Sequence, residues 1–477
     1  MKTIKINEIK LSPISLVDDV CKTYFWNNKV IRTINKDYRN HVISMFECGL
    51  MEDLYRKKFI PQTTISDNIL EGWEGILLEQ EKVDLIYPQE LSFEMLKDAA
   101  KFILSFTETC HKYGYYIKDC HLHNLGFKDG NFVFFDIGSI QKNTNDFFRF
   151  SYVEFILQYI LPLKLYSKGF VNKVYNMIAL YSSNVSAVSE YCKDVNVFFR
   201  LMPLNILTPF LNLYFKFKNI HSVPDRKIEE HKYASLIQFL KKPYFRFLTE
   251  VNCHHLKRKI DNISFPKRQI SQWGDYYTEP IIGIENIKST PRFDKLVNMI
   301  EGLKDVRTVC DIGSNAGIFV FNLFKKNNRI EKAWCIEPDK IAINKLYQLN
   351  RDFFHYPIIP ICNDPFIPRL IWFHNKLFER IKTDLVSCLA LTHHLILTQN
   401  LSMDYVLRTI CQYTKKYLLI EFMPLGLWDS KSAQLLPQWY NKGWFEGELS
   451  KYFIVKTSYQ TEENRIFYLC EKVEYKE

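Results

Sequence analysis

Five short apolar runs in the second half of the chain limit the fold more than anything else in the sequence: RTVCDIG, KAWCIEPD, YPIIPICND, TDLVSCLAL and YLLIEFMP. Each has the length of a buried strand and each is followed by a loop or a segment with helical spacing. Strands buried on both faces read as continuous apolar runs, and their alternation with helices implies a mostly parallel sheet covered on both sides. Residues 266–477 are therefore expected to form an α/β, doubly wound, Rossmann-like domain, with ligands at the carboxyl ends of its strands.

The first run continues as DIGSNAG and opens an amphipathic helix. Asp311 would end the strand, Gly313 and Gly317 would let the backbone approach a ligand, and Ser314 and Asn315 lie in the turn between them. The next run ends in Glu337, where doubly wound folds place an acid against a ribose. The glycine spacing is not G-x-G-x-x-G, which argues against a dinucleotide-binding dehydrogenase.

On these residues the segment resembles the class I S-adenosylmethionine-dependent methyltransferases. The resemblance implies that Asp311 and the turn Gly313–Gly317 hold the methionine end of the cofactor, that Glu337 takes the ribose, and that Asn363 and Asp364 face adenine. DLVSCLALTHHL would supply the fourth strand and the catalytic rim. Transfer of a sulfonium methyl to a hydroxyl needs an aligned nucleophile and a base. His394 and His393 are the candidate bases beyond the fourth strand, and Glu421, ending the fifth, is a third candidate catalytic group. The stretch SQWGDYYTE is similar to one that precedes this domain in bacterial methyltransferases of the nodulation and surface-polysaccharide type; its Tyr276 would cap the cofactor pocket.

The first half reads differently. SFEMLKDAAKFILSFTETCHKYG carries Phe93, Leu96, Ala99, Ala100, Ile103 and Leu104 at helical spacing. A hairpin with an Asp-Gly turn at Asp129-Gly130 follows, its second strand ending at Asp136. Asp119, then Asn124, then Asp136 in D-I-G is the spacing by which kinase-like folds place a base, a metal-binding amide and a metal-binding carboxylate. D-C-H-L-H-N resembles the aminoglycoside and choline kinase type. The resemblance implies a protein-kinase-like domain over 1–265, with a small lobe 1–90 and a helical large lobe 91–265, using ATP and Mg at Asn124 and Asp136 if it is active. No glycine-rich loop and no V-A-I-K lysine precede these residues, so a degenerate kinase-like domain is the expectation.

Together, YPQELSFEMLKDAA and IKDCHLHNLGFKDGNFVFFDIGS resemble the N-terminal portion of one bacterial methyltransferase family connected with nodulation factors or surface polysaccharides. That points to O-methylation of a sugar, glycan or sugar phosphate. A bifunctional kinase-methyltransferase and an RNA methyltransferase are the alternatives.

Composition narrows the partners further. Lys and Arg exceed Asp and Glu by 63 to 53, an excess spread along the chain that decides nothing about partners; no N-P-P-Y follows the fourth strand, which disfavours nucleic acid. The 12 cysteines form no C-x-x-C pair and the N-terminus lacks a signal-peptide core, implying a reduced, cytoplasmic protein. No run is long enough to span a bilayer; Phe198–Phe217 comes closest and leaves peripheral membrane contact open. Neighbouring histidines diverge on a helix or strand, which disfavours metal binding at His254-His255 and His393-His394.

Overall fold

A computed structural model describes residues 2–12, 21–27, 29–142, 155–169, 252–266, 271, 290–367, 376–427 and 435–473. The expected helical stretch after Ser151 is largely outside these residues, and so are Phe198–Phe217 and Tyr276. The chain divides into two compact units. The first comprises Met1–Gln89, Met95–Gln269 and Ile371–His374, and the second Glu90–Glu94, Ile270–Leu370 and Asn375–Glu477.

In the first unit five strands form an antiparallel sheet in the order Lys10–Leu11, Cys21–Trp26, Lys29–Ile34, Ile76–Gln80, Thr63–Ile65. Two helices, Arg39–Glu47 and Leu50–Arg56, follow the third of these strands in sequence, joined at Gly49 with a positive φ of 81°. The helix Phe93–Lys112 buries Phe93, Leu96, Ala99, Ala100, Ile103 and Leu104, the stripe that its spacing predicts. Leu125–Lys128 and Asn131–Phe134 pair as the expected hairpin, turning through Asp129 and Gly130 with φ of 49° and 77°. The strand stops at Phe134, so Asp136 sits two residues past its end rather than closing it.

The second unit is built on a seven-stranded sheet. Its strands are β1 (Thr308–Ile312), β2 (Lys332–Ile336), β3 (Ile358–Ile361), β4 (Thr383–Cys388), β5 (Thr414–Phe422), β6 (Phe453–Glu462) and β7 (Arg465–Lys472). The order is β3-β2-β1-β4-β5-β7-β6, parallel through β5, with β7 antiparallel to both neighbours. All five apolar runs of the sequence are strands here. The order departs from the dinucleotide-binding 3-2-1-4-5-6 at its far edge, where a hairpin inserts a reversed last strand. It reverses direction between β1 and β4, which puts the switch point beside the end of β1.

Helices α1 (Pro291–Glu301), α2 (Ile318–Lys326), α3 (Lys340–Leu349) and α4 (Met403–Tyr413) lie between or before these strands. Local chemistry sets their starts. The side chains of Thr290, Asp339 and Ser402 accept from first-turn N–H groups of α1, α3 and α4, and Pro291 begins α1 where its missing N–H costs nothing. Among the described residues no helix is long and apolar enough to cross a membrane.

Gly317 precedes α2 with φ of 80°, and a Cβ there would lie 2.8 Å from the Leu346 side chain and 3.2 Å from Phe321. Both strain and overlap oppose a side chain. Gly317→Ala should cost about 1–3 kcal/mol in urea unfolding, whereas Gly302→Ala, at helical φ of −65° with only an ordinary contact at 3.5 Å, should change stability little.

Candidate active site

The carboxyl ends of β1 and β2 meet in one turn. Gly313 (φ 77°), Asn315 (φ 48°) and Gly317 (φ 80°) take left-handed conformations, which fold the segment back on itself. Gly313 N donates to Ile336 O at 2.9 Å and Ser314 N to the same oxygen at 3.3 Å, stitching the turn to the end of β2. Glu337, one residue further, is 5% exposed; its carboxylate accepts from Asn315 N and Asp339 N, both at 2.8 Å. The structure thus brings Glu337 into direct contact with the glycine turn.

Asp311 is buried on β1 opposite Ser387 of β4, whose hydroxyl donates to it at 2.6 Å. Burial pushes its carboxyl up to about 7, opposed by the Ser387 hydrogen bond and by the charge of Arg292. Burial likewise pushes Glu337 up to about 7, against the two backbone donors, while the charges of Asp339 and Asp311 add to the rise. Each carboxyl keeps its proton to a higher pH when folded than when unfolded.

Asn363 and Asp364 follow β3 and are tied mainly to their own loop. Asn363 Oδ1 accepts from Asp364 N at 2.8 Å, and Asp364 Oδ1 from Phe366 N at 2.9 Å. The Asn363 amide donates to Glu90 Oε1 at 3.3 Å, and buried Glu90 pairs with Arg380. Glu90 and Arg380 both fall in the second unit and are absent from the sequence reading, because they stand 290 positions apart in the chain.

Beyond β4, Glu421 organises the rim. Its side chain has no exposed area and accepts from Arg292 at 2.8 Å, Arg465 at 2.6 Å and Ala390 N at 2.6 Å; its backbone carbonyl accepts from Thr392 Oγ1 at 2.7 Å. Both oxygens have a cationic partner, so the carboxylate is a tie that shapes the loop Leu389–His393 and not an available proton acceptor. Arg292 and Arg465 come from α1 and β7, far away in sequence, and no local signal marks them.

The expectation that His393 and His394 diverge is corrected: their ring centroids are 4.0 Å apart, at the start of a wide turn of π-type over His394–Thr398. His393 is 3% exposed, and its Nδ1 is buried without a hydrogen-bond partner. Burial first, then the charges of His394 and Arg465, pushes it down to about 3. Burial also lowers His394, which is half-buried. Both rings are therefore neutral near pH 7, the form able to accept a proton.

In the first unit, hydrogen bonds join Asn124 to the Asp119 backbone and to the segment before Asp136. Asn124 Nδ2 donates to the backbone oxygen of Asp119 at 3.0 Å, and Phe135 N donates to Asn124 O at 3.1 Å, which brings Asn124 beside the Asp136 segment. Asp136 Oδ2 accepts from the Ser139 hydroxyl, and Oδ1 lies 3.5 Å from Arg32 Nη1. Arg32 stands on Lys29–Ile34, the central strand of the five-stranded sheet.

No family model matches the chain. It is similar to the nodulation protein NoeA of Rhizobium meliloti (strain 1021), 24% identical over 364 residues that make up 73% of this chain and 70% of that protein. Among solved structures it is similar to the N-methyltransferase NodS from Bradyrhizobium japonicum WM9 in complex with S-adenosyl-L-homocysteine. The identity is 14%, over 39% of this chain and 91% of that one, at a TM-score of 0.30. A SAM-dependent methyltransferase from Aquifex aeolicus is 14% identical, over 39% of this chain and 100% of that one, at a TM-score of 0.28. At such scores the strand order of the second unit, not the superposition, carries the α/β assignment.

The raised carboxyls give stability a definite slope with pH. The contribution of Glu337 is fully present below its unfolded value near 4.5 and is lost as pH rises through about 7. It amounts to about 3 kcal/mol at most. Glu337→Gln should flatten the decline in melting temperature between pH 5 and 8; parallel profiles for wild type and variant would contradict the perturbation. Glu421→Ala leaves two guanidinium groups uncompensated and should cost about 3–5 kcal/mol in urea unfolding.

Proposed function

We propose that the second unit is an S-adenosylmethionine-dependent methyltransferase acting on an oxygen of a sugar, glycan or sugar phosphate, and that the first unit is a degenerate kinase-like domain. The observation that carries the first part is the buried Glu337 carboxylate, two residues from the α3 cap and bonded to the Gly313–Gly317 turn. A buried acid at a strand end beside a turn with no side-chain bulk at its two glycines fits the ribose and amino-acid ends of this cofactor.

When bound, the cofactor supplies an already activated sulfonium methyl, so the protein's work is alignment and proton removal. Glu337 would accept from the ribose hydroxyls. Asp311, Gly313, Ser314, Asn315 and Gly317 would surround the methionine end, Asn363 and Asp364 the adenine, and Tyr276 the mouth of the pocket. The neutral, half-buried His394 is the base; the more buried His393 packs against it, and Glu421 positions the loop that carries both. The sugar-type acceptor rests on the kinship with a nodulation protein and on the family resemblance of the sequence.

A second reading, a bifunctional kinase and methyltransferase, is favoured by the gathering of Asp119, Asn124 and Asp136. Transfer of labelled γ-phosphate from ATP and Mg to a glycan acceptor would bring it forward.

Calorimetry with S-adenosylmethionine tests the main reading. Binding should be seen with the wild type, should tighten as pH rises through about 7 because the ribose hydroxyls need an ionised Glu337, and should weaken at least tenfold in Glu337→Ala. No binding, or undiminished binding in the variant, defeats it. His394→Ala should lower kcat by about 10²–10⁴ with cofactor affinity unchanged. An equal loss from His393→Ala alone would reverse the two roles.

A further inference from the structure

The guanidinium of Arg32, buried in the first unit, has one short hydrogen bond and two long contacts. Arg32 is 5% exposed, on the central strand of the five-stranded sheet. Its Nε donates to Gln80 Oε1 at 2.9 Å, and Gln80 is itself held by donating to Phe135 O at 3.1 Å and Thr63 Oγ1 at 3.2 Å. The Nη1 contacts are long: 3.5 Å to Asp136 Oδ1 and 3.8 Å to Cys21 Sγ. The face of the group lies 5.8 Å from the Phe135 ring centroid. Nη2 makes no hydrogen bond among the described residues. A guanidinium has five donors in a planar fork suited to carboxylate or phosphate, and here one of them is well used.

A divalent metal fits this site poorly. Of the two oxygens of Asp136, one accepts from Ser139 and the other faces Arg32, so a fixed positive charge already stands where the metal's carboxylate would be needed. Asn124 is buried, and its amide is turned onto the Asp119 carbonyl. No group of three His, Cys, Asp or Glu side chains among the described residues could hold a metal ion. An anion, by contrast, would meet the unused donors of Arg32 and release it from its long contact with Asp136.

We infer that the first unit binds a phosphorylated ligand on Arg32 without a divalent metal ion. This rests on the kinase-like reading of the first unit and is independent of methyl transfer by the second. Asp136 then competes with the ligand for Arg32 instead of helping to bind it, the reverse of its role in a metal-dependent site.

The experiment is calorimetry on the full chain with ADP and, separately, with glucose 1-phosphate, each in EDTA and in Mg²⁺. The expected result is binding of at least one ligand in EDTA with an affinity that Mg²⁺ does not improve; which ligand binds tells whether the phosphate comes from a nucleotide or a sugar. Asp136→Asn should tighten that binding severalfold, and Arg32→Gln should weaken it at least tenfold. If Arg32→Gln does not fold, the Asp136→Asn measurement decides alone, because a metal-dependent site would lose its ligand in that variant. Binding only with Mg²⁺ overturns the inference and leaves the kinase-like reading standing. No binding of either ligand under any condition overturns both.

Discussion

A carboxylate buried at the end of a strand has to be answered by donors or by a proton, and the second unit depends on how it meets that demand. Glu337 has two backbone N–H groups, Asp311 one hydroxyl, and Glu421 two guanidinium groups with a backbone N–H. The consequences differ with the partners. Where donors are neutral, burial wins and the carboxyls of Asp311 and Glu337 are pushed up toward neutrality. Where the donors are cations, the acid and its partners become a fixed brace.

That contrast separates recognition from support. Glu337 has only neutral backbone donors, and its raised carboxyl can change its charge near neutral pH. Glu421 is saturated, and breaking it would strand two positive charges. Its service is to the loop holding His393 and His394, whose neutral rings lie at the edge of β4 where the sheet order has already reversed. The turn and the histidine loop follow neighbouring parallel strands, and the brace reaches Glu421 from the antiparallel β7 and from α1.

The first unit shows the same physics with the opposite charge. Arg32 is buried on a strand, with one short hydrogen bond to Gln80 and a longer contact with Asp136. The Arg32 guanidinium and the raised carboxyls show the same cost of burying a charge with few strong partners.

Much of this was readable in the chain itself. Runs such as RTVCDIG and KAWCIEPD determine their own strands, because continuous apolar residues have nowhere to go but a sheet buried on both faces, and the positions of Gly313, Gly317 and Glu337 follow from local spacing. The helix stripe from Phe93 to Leu104 and the Asp129-Gly130 turn are equally local. What only the tertiary structure decided is partnership across distance: Arg292 and Arg465 on Glu421, Glu90 with Arg380, Arg32 against Asp136, and the contact of the two histidine rings. A sequence records each charge but not its neighbour, since burial and pairing are set by which strands lie side by side. Those neighbours leave one strand-end carboxylate on neutral backbone donors and make another a brace.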